Sequence, residues 1–275
     1  MRIFSYFKKG ASIIKKYGIT AFFRAIQFYL IRKFSKKTEP HFIQEYQNYV
    51  NKLLKVYPRD AAMSMAAGGG GYIETGNLQK EILLYYGLKP NMSIIDFGCG
   101  SGRLAHALPA DYNLNYLGID VIEELLVYAR KKSPKNYKFN IHNKLLTIPV
   151  LAERTDIICA FELFPLLLHE EIYIYLEDMK RALKKGGKAI FTFLEFDNHQ
   201  HWQIFNNSVN DRKEKISVHL NTFIEKPVLK LWADKIGFNI IEFTDTNDKR
   251  FNGALGESSP GKNFGQSLAV FEKTT

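Results

Sequence analysis

Apolar residues fall in two alternating rhythms along this chain. Short apolar runs bounded by glycine, asparagine or aspartate predict buried strands. Stretches with apolar residues three and four apart predict helices. Leu78–Tyr86 reads as a helix. The strand opening at Ser93-Ile94-Ile95-Asp96-Phe97 follows, then a glycine-rich turn and the start of a helix. Asn115–Asp120 is the next strand. Glu123–Lys132 is a helix with acids at its start and Arg130, Lys131 and Lys132 at its end, which suits the helix dipole. Tyr137–Asn143, Asp156–Glu162 and Lys188–Leu194 read as strands three to five. Between the last two, Glu170–Leu183 reads as a helix with Ile172, Tyr175, Leu176, Met179 and Leu183 on one face. The run Lys184-Lys185-Gly186-Gly187 is expected to end it. Pro227–Ile236 reads as an amphipathic helix stopped by Gly237, and Phe238–Phe243 and Gln266–Phe271 as strands six and seven. Strands alternating with helices in this way predict an α/β fold.

The turn after the first strand carries Gly98, Gly100 and Gly102. Such a turn lets backbone amides approach a ligand with no Cβ in the way. A dinucleotide fingerprint would place its third glycine at 103, where Arg103 stands, so a nicotinamide cofactor is disfavoured. Asp96 lies two residues before the first glycine, and Asp120 ends the second strand. In doubly wound folds an acid at that strand end accepts hydrogen bonds from ribose hydroxyls.

Asp96, the glycine turn and Asp120 together resemble motif I and the following strand of class I S-adenosylmethionine (SAM) dependent methyltransferases. The run Arg181-Ala182-Leu183-Lys184-Lys185-Gly186-Gly187 resembles the family's R-x-L-K-P-G-G segment, with lysine in place of proline. The resemblance covers residues 60 to 273. It implies a Rossmann-like seven-stranded sheet ordered 3-2-1-4-5-7-6, strand seven antiparallel, with helices on both faces. It implies SAM as cofactor, held by Asp96, Gly98, Cys99, Gly100, Gly102, Asp120 and Val121. Asn143 falls where the family carries an Asp or Asn near the adenine amino group, and Ile148-Pro149 where a Leu-Pro pair often follows. These motifs are specific to the cofactor and almost silent about the acceptor.

Charge divides the chain. Ten of its 38 bases, and none of its 28 acids, lie in residues 1–37, so the remaining 28 bases balance the 28 acids. The same segment carries nine Phe and Tyr residues and is too short and interrupted to span a bilayer. Residues 1–60 therefore read as a basic aromatic helical extension and 61–275 as the methyltransferase domain. A basic aromatic helix suits an anionic membrane surface. The alternatives are plain packing on the domain or a transit peptide, the last opposed by scarce Ser and by Lys outnumbering Arg. Between extension and motif I, Gly68–Gly71 cannot be helix or strand interior. The segment reads as a linker, or as a mobile cover over the methionine end of SAM with Tyr72 as its aromatic.

Transfer from a sulfonium is an in-line displacement, so alignment and exclusion of water dominate. A base is required only for a protonated nucleophile. The candidates are Glu162, after strand four near the expected methyl position, and His199, His201 and His219, in the insert between strand five and the last helix. His106 reads as structural, and His142 sits at the adenine end. Phe164-Pro165-Leu166-Leu167 stands where relatives often carry a histidine, which makes the mouth more apolar. No N-P-P-Y-like segment follows strand four, which disfavours base amines in DNA. Cys99 and Cys159 suggest no disulfide framework, and Cys and His spacing suggests no metal site. A cytoplasmic location follows, with a membrane surface as candidate partner.

The expected function is methyl transfer from SAM to a small-molecule or lipid- or glycan-linked acceptor, with oxygen as the favoured atom. One alternative is an RNA methyltransferase using the basic arm for phosphate contact. The arm's Phe and Ile content favours lipid over nucleic acid. The other is a non-catalytic SAM-binding or scaffold protein, opposed by the intact Asp96, Gly98, Gly100 and Asp120.

Overall fold

The structure is a computed structural model that describes residues 19, 23, 26, 41–66, 71–142, 147–215, 220–245, 248–252 and 265–274. The chain divides into two compact units, Met1–Glu39 and Pro40–Thr275. In the first, Ile19, Phe23 and Ile26 are described; each is helical and exposed. The rest of the basic arm lies outside the described residues. Among the described residues, no helix is long and apolar enough to cross a membrane.

The second unit begins with α1 (His41–Val56), α2 (Arg59–Ala66) and α3 (Tyr72–Tyr85). A seven-stranded sheet follows: β1 (Ser93–Phe97), β2 (Asn115–Asp120), β3 (Lys138–Ile141), β4 (Thr155–Ala160), β5 (Leu183–Phe193), β6 (Phe238–Thr244) and β7 (Ser267–Lys273). Its order is β3-β2-β1-β4-β5-β7-β6. Strands β1 to β5 pair in parallel, and β7 runs antiparallel to both β5 and β6. This is the sheet the resemblance implied. The connecting helices are α4 (Arg103–Ala107), α5 (Glu123–Lys132), α6 (His169–Ala182), α7 (His199–Lys213), α8 (Lys226–Ile236) and the short α9 (Lys249–Asn252).

A strand sends successive side chains to opposite faces, and the core shows this residue by residue. Ile94, Ile157, Cys159, Ile190, Leu268 and Val270 pack on the α3–α4–α5 face. Ile95, Ile158, Ala189, Phe191, Ala269 and Phe271 pack on the α6–α8 face. Both faces are covered, so the central strands read as continuous apolar runs rather than alternating ones.

Four boundaries differ from the sequence reading. Residues 41–60, grouped there with the basic extension, lie inside the second unit. Val50 and Leu53 of α1 are buried with Ala62 and Met63 of α2 against Ile122, Leu125 and Tyr128. The helix expected from Leu78 begins at Tyr72 instead and carries Gly76 in its second turn. That glycine is a packing residue: a Cβ on it would meet the Arg103 carbonyl oxygen at 2.5 Å and Ala107 Cβ at 3.3 Å. Strand β5 starts at Leu183, which pairs with Thr155. Residues 184–187 then leave the register as an irregularity, and pairing resumes at Lys188 opposite Ile157. The expected helix end is thus a bulge inside a strand. Finally, the insert after β5 is the helix α7, capped by Asn198, whose side chain accepts from the Gln200 and His201 amides.

Gly76→Ala tests the close approach of α3 to α4. In an unhindered helix the change would stabilise by about 1 kcal/mol. Here the added Cβ overlaps a backbone carbonyl, and a loss of about 1–3 kcal/mol is expected. A lowered urea midpoint for G76A checks it, and a raised one would refute the packing account.

Candidate functional site

Strand β1 ends at Phe97, and the chain turns at once. Gly98, Gly100 and Gly102 all take positive φ, at 82°, 53° and 82°. At Gly102 two constraints coincide: the backbone is left-handed, and a Cβ would lie 2.6 Å from Ala129 Cβ on α5. Only glycine meets both. The Gly98 and Cys99 amides donate to the Ile119 carbonyl at 2.8 and 3.0 Å, which ties the loop to β2. Ser101 Oγ donates to the Met63 carbonyl at 2.9 Å, which ties it to α2.

Asp120, at the end of β2, completes the turn. Its Oδ2 accepts the Gly100 amide at 2.9 Å. Its Oδ1 accepts the Val121 and Ile122 amides at 2.8 and 3.0 Å. Burial nevertheless raises its pKa above the ordinary carboxylate value, against the pull of the three amides.

Asp96 is 3% exposed. Its Oδ2 accepts the Tyr116 hydroxyl at 2.7 Å. Burial pushes its pKa up to about 6, while the Tyr116 hydrogen bond and the Arg103 charge oppose the rise. Burial also pushes the Cys99 and Cys159 thiols well above their ordinary value, so neither is poised as a thiolate.

Asp96, Gly98, Cys99 and Asp120 line one cavity of about 450 Å³. That volume is within the roughly 300–1,000 Å³ typical of small-molecule sites. Arg103 and Glu162, joined by an ion pair of 2.7 Å, line the same cavity. Glu162 follows β4 and takes φ 58°, a left-handed conformation uncommon outside glycine, Asn and Asp. Its amide donates to Thr192 Oγ1 at 2.7 Å, which holds that turn against β5. Burial raises the Glu162 pKa, and Arg103 opposes the rise. Arg103 Nη1 is buried and, among the described residues, has no hydrogen-bond partner. Beside Asp120 and Val121, a smaller apolar cleft of about 50 Å³ runs past Leu163 and His142.

Several expected residues stand elsewhere. Tyr72 does not face the cavity. Its hydroxyl donates to the Ser101 carbonyl at 3.0 Å, and its ring packs edge-on to Tyr128. As the first residue of α3 it braces the glycine turn through this bond. Tyr46 and Tyr49 of α1, stacked at 6.4 Å, line the cavity instead. The Tyr46 hydroxyl donates to the Ala66 carbonyl at 2.6 Å. The sequence reading passed over them because α1 was assigned to the extension; the buried Val50 one turn later was the available signal. Among the histidines, His201 is fully buried, with Nδ1 within 3.1–3.2 Å of the Glu195 backbone, and burial lowers its pKa. It and the exposed His199 at the start of α7 are absent from the cavity lining. The cap at Asn198 puts both into a helix rather than a substrate loop. Asn143 and His219 lie outside the described residues. Gln79, Asn221 and Gln266, unremarked in the sequence, supply further polar groups to the wall.

Residues 94–187, from β1 into β5, match the family described as "Methyltransferase domain". The matched segment and the fold around it are those of class I SAM-dependent methyltransferases. The chain is similar to phosphoethanolamine N-methyltransferase 1 of Zea mays, at 25% identity over 133 residues, 45% of this chain and 25% of that protein. It is also similar to ribosomal protein L11 methyltransferase of Lactobacillus gasseri, at 29% identity over 147 residues, 53% of this chain and 42% of that protein. The chain thus matches less than half the length of these curated relatives. A solved Thermotoga maritima SAM-dependent methyltransferase, described as a possible histamine N-methyltransferase, shares the fold. Its TM-score is 0.56 at 18% identity, covering 86% of this chain and 100% of that one. Phosphoethanolamine N-methyltransferase 2 of Haemonchus contortus, solved with SAM, gives 0.57 at 15% identity, covering 84% and 60%.

The raised pKa of Asp96 has a stability consequence. The folded state binds this proton more tightly than the unfolded chain. The resulting stabilisation is complete below 3.8 and is lost as pH rises through about 6. A shift of that size corresponds to at most about 3 kcal/mol. Asp96→Asn removes the titration, so its stability relative to wild type should improve as pH rises across that window. Urea unfolding of both proteins at several pH values checks it; a constant difference would refute a raised pKa.

Proposed function

We propose that the methyltransferase transfers the methyl group of SAM to a small organic acceptor bound in the Asp96–Glu162 cavity. The observation that carries this reading is one cavity lined together by the glycine turn, two buried acids and the Arg103–Glu162 pair.

The residues present fit the cofactor. Asp120 already accepts three amides, and a carboxylate with two oxygens retains acceptor capacity for ribose hydroxyls. Asp96 supplies a buried negative charge for an ammonium group, and its own elevated pKa marks a site that favours a cation. A side chain at 98 would meet Leu163 within 3.1–3.2 Å and close the approach to the turn, which the glycine leaves open. Val121 and His142, beside the apolar cleft, suit the flat face of a purine. Tyr46 and Tyr49 take the covering role first expected of Tyr72. Arg103 Nη1, buried and unpartnered, suits a carboxylate of donor or acceptor.

When bound, SAM supplies an electrophilic methyl group and a neutral thioether leaving group. The protein's task is to align the acceptor and keep water out. Glu162 faces the cavity with a carboxylate made more basic by burial, which supports a hydroxyl acceptor whose proton passes to Glu162 as the methyl bond forms. The basic aromatic residues 1–37 remain the candidate contact with an anionic membrane surface, on composition alone.

Calorimetric titration with SAM and S-adenosylhomocysteine tests the reading. Wild type should bind both. Asp120→Ala should weaken binding roughly tenfold to a hundredfold, since hydrogen bonds to a charged group contribute about 1.5–3 kcal/mol. Absence of binding by folded wild-type protein would sink the proposal. Glu162→Gln should leave SAM affinity intact and lower turnover of the acceptor by about two orders of magnitude, the lower range for a lost general base. Unchanged turnover of labelled SAM by E162Q would remove the base from the mechanism.

A further inference from the structure

The cavity has a neighbour. Asn221 lines it and also lines an open groove of about 520 Å³ on the face of α7. The floor of that groove is apolar: Phe205 and Val209 from α7, with Leu220 and Phe223 from the segment before α8. Its aromatics extend into a larger cluster. Phe223 stacks on Phe196 at 4.4 Å and 9°, Phe205 meets Phe196 edge-on at 5.2 Å, and Trp202 lies 5.3 Å from Phe205. Phe196 and Trp202 are 43% and 44% exposed. Contiguous exposed aromatic surface of this kind marks a binding site.

The rim is cationic. Arg212 and Lys213 are the charged residues of the groove lining, both exposed. Neither side chain forms an ion pair among the described residues. Asp211 and Glu214, on the same turn, do not line the groove. An apolar floor with an unpaired cationic rim is complementary to one chemical class, an apolar chain that carries an acid group.

We propose that the acceptor is a single amphipathic anion. Its alkyl or isoprenoid chain lies over Phe205, Val209, Leu220 and Phe223, its acid group meets Arg212 and Lys213, and its reacting hydroxyl passes Asn221 into the cavity. This inference rests on the proposed methyl transfer and narrows its acceptor. Asn221, the residue shared by the two linings, sets the groove directly beside the cavity, within reach of one extended molecule. It also gives a physical use to the apolar mouth formed by Pro165 and Leu166, which line the same cavity.

The test uses the full chain and a long-chain fluorescent fatty acid, dansyl-aminoundecanoate, read by its emission and by quenching of tryptophan fluorescence. Butyrate, a neutral alcohol of equal chain length and anionic phospholipid vesicles are the comparison arms. Saturable binding of the probe, weakened roughly tenfold in Arg212→Glu/Lys213→Glu, is expected, because each exposed charge pair contributes up to about 1 kcal/mol and reversal adds repulsion. Phe205→Asp should weaken it at least as much, while SAM titration of both variants should match wild type and show them folded. Equal binding of butyrate would overturn the chain, equal binding of the neutral alcohol would overturn the anion, and binding of vesicles alone would overturn the single-molecule occupant. Probe affinity unchanged in the groove variants would place the binding on the basic arm and overturn the site. Loss of SAM binding in wild type would instead strike the methyltransferase reading, so the two failures are separable.

Discussion

Everything at the site hangs on the Asp120 carboxylate. It is the one group bonded both to the glycine turn, through Gly100, and to the start of the next helical connection, through Val121 and Ile122. The turn itself has little else to fix it from within, since three glycines at positive φ cost conformational entropy and offer no side chains to pack. Its rigidity is supplied from outside, by Asp120, by the Ile119 carbonyl and by the Ser101–Met63 bond. A buried carboxylate satisfied by backbone amides is thereby converted from a desolvation cost into a fixed joint between β1 and β2. The parallel sheet makes this joint available, because it sets the carboxyl ends of β1 and β2 side by side, with Phe97 opposite Ile119.

That dependence explains what was legible in the sequence. The strands follow from apolar runs and glycine stops that report directly on burial and chain reversal, and their order from the resemblance of the glycine turn and Asp120 to a known family. Asp96, the glycines and Asp120 were visible because their chemistry is local: each sits at a strand end or in a tight turn. What misled was polar or glycine-bearing sequence whose structure is decided by distant partners. Gly76 looks like a helix breaker until Arg103 is seen 2.5 Å from its missing Cβ. Lys184–Gly187 looks like a helix stop, yet Leu183 is already paired with Thr155. The histidines of α7 looked like loop residues although Asn198 announces a helix cap in the sequence itself. Tyr46 and Tyr49 carry no local signature at all, since their place at the cavity follows from packing of α1 on α2 and α5.

Three acids with raised pKa values, Asp96, Asp120 and Glu162, line one cavity. Burial is the largest cause for each, so each destabilises its own ionised form in the folded chain. Arg103, lining the same cavity, lowers Asp96 and Glu162 but leaves one of its own donors unpaired. The result is a site with uncompensated demand for a cation, for hydroxyl donors and for an acceptor on Arg103. A fold optimised for stability alone would have filled these positions with apolar side chains. The donor that satisfies all three at once is a zwitterionic, ribose-bearing sulfonium, which is the chemistry the family assignment independently requires.

The same reasoning separates the two ends of the cavity. At the β1–β2 end the polar groups are backbone amides and acids held by short bonds, a geometry fixed before any ligand arrives. At Asn221 the cavity adjoins a groove of aromatics and of cations that form no ion pair among the described residues. A preorganised polar pocket favours one invariant ligand, and an adaptable apolar groove favours chains that vary in length. On the proposed assignment, donor and acceptor recognition are built from different physics in one molecule. The donor end is written in motifs that a sequence displays, and the acceptor end in surface composition that only the fold assembles.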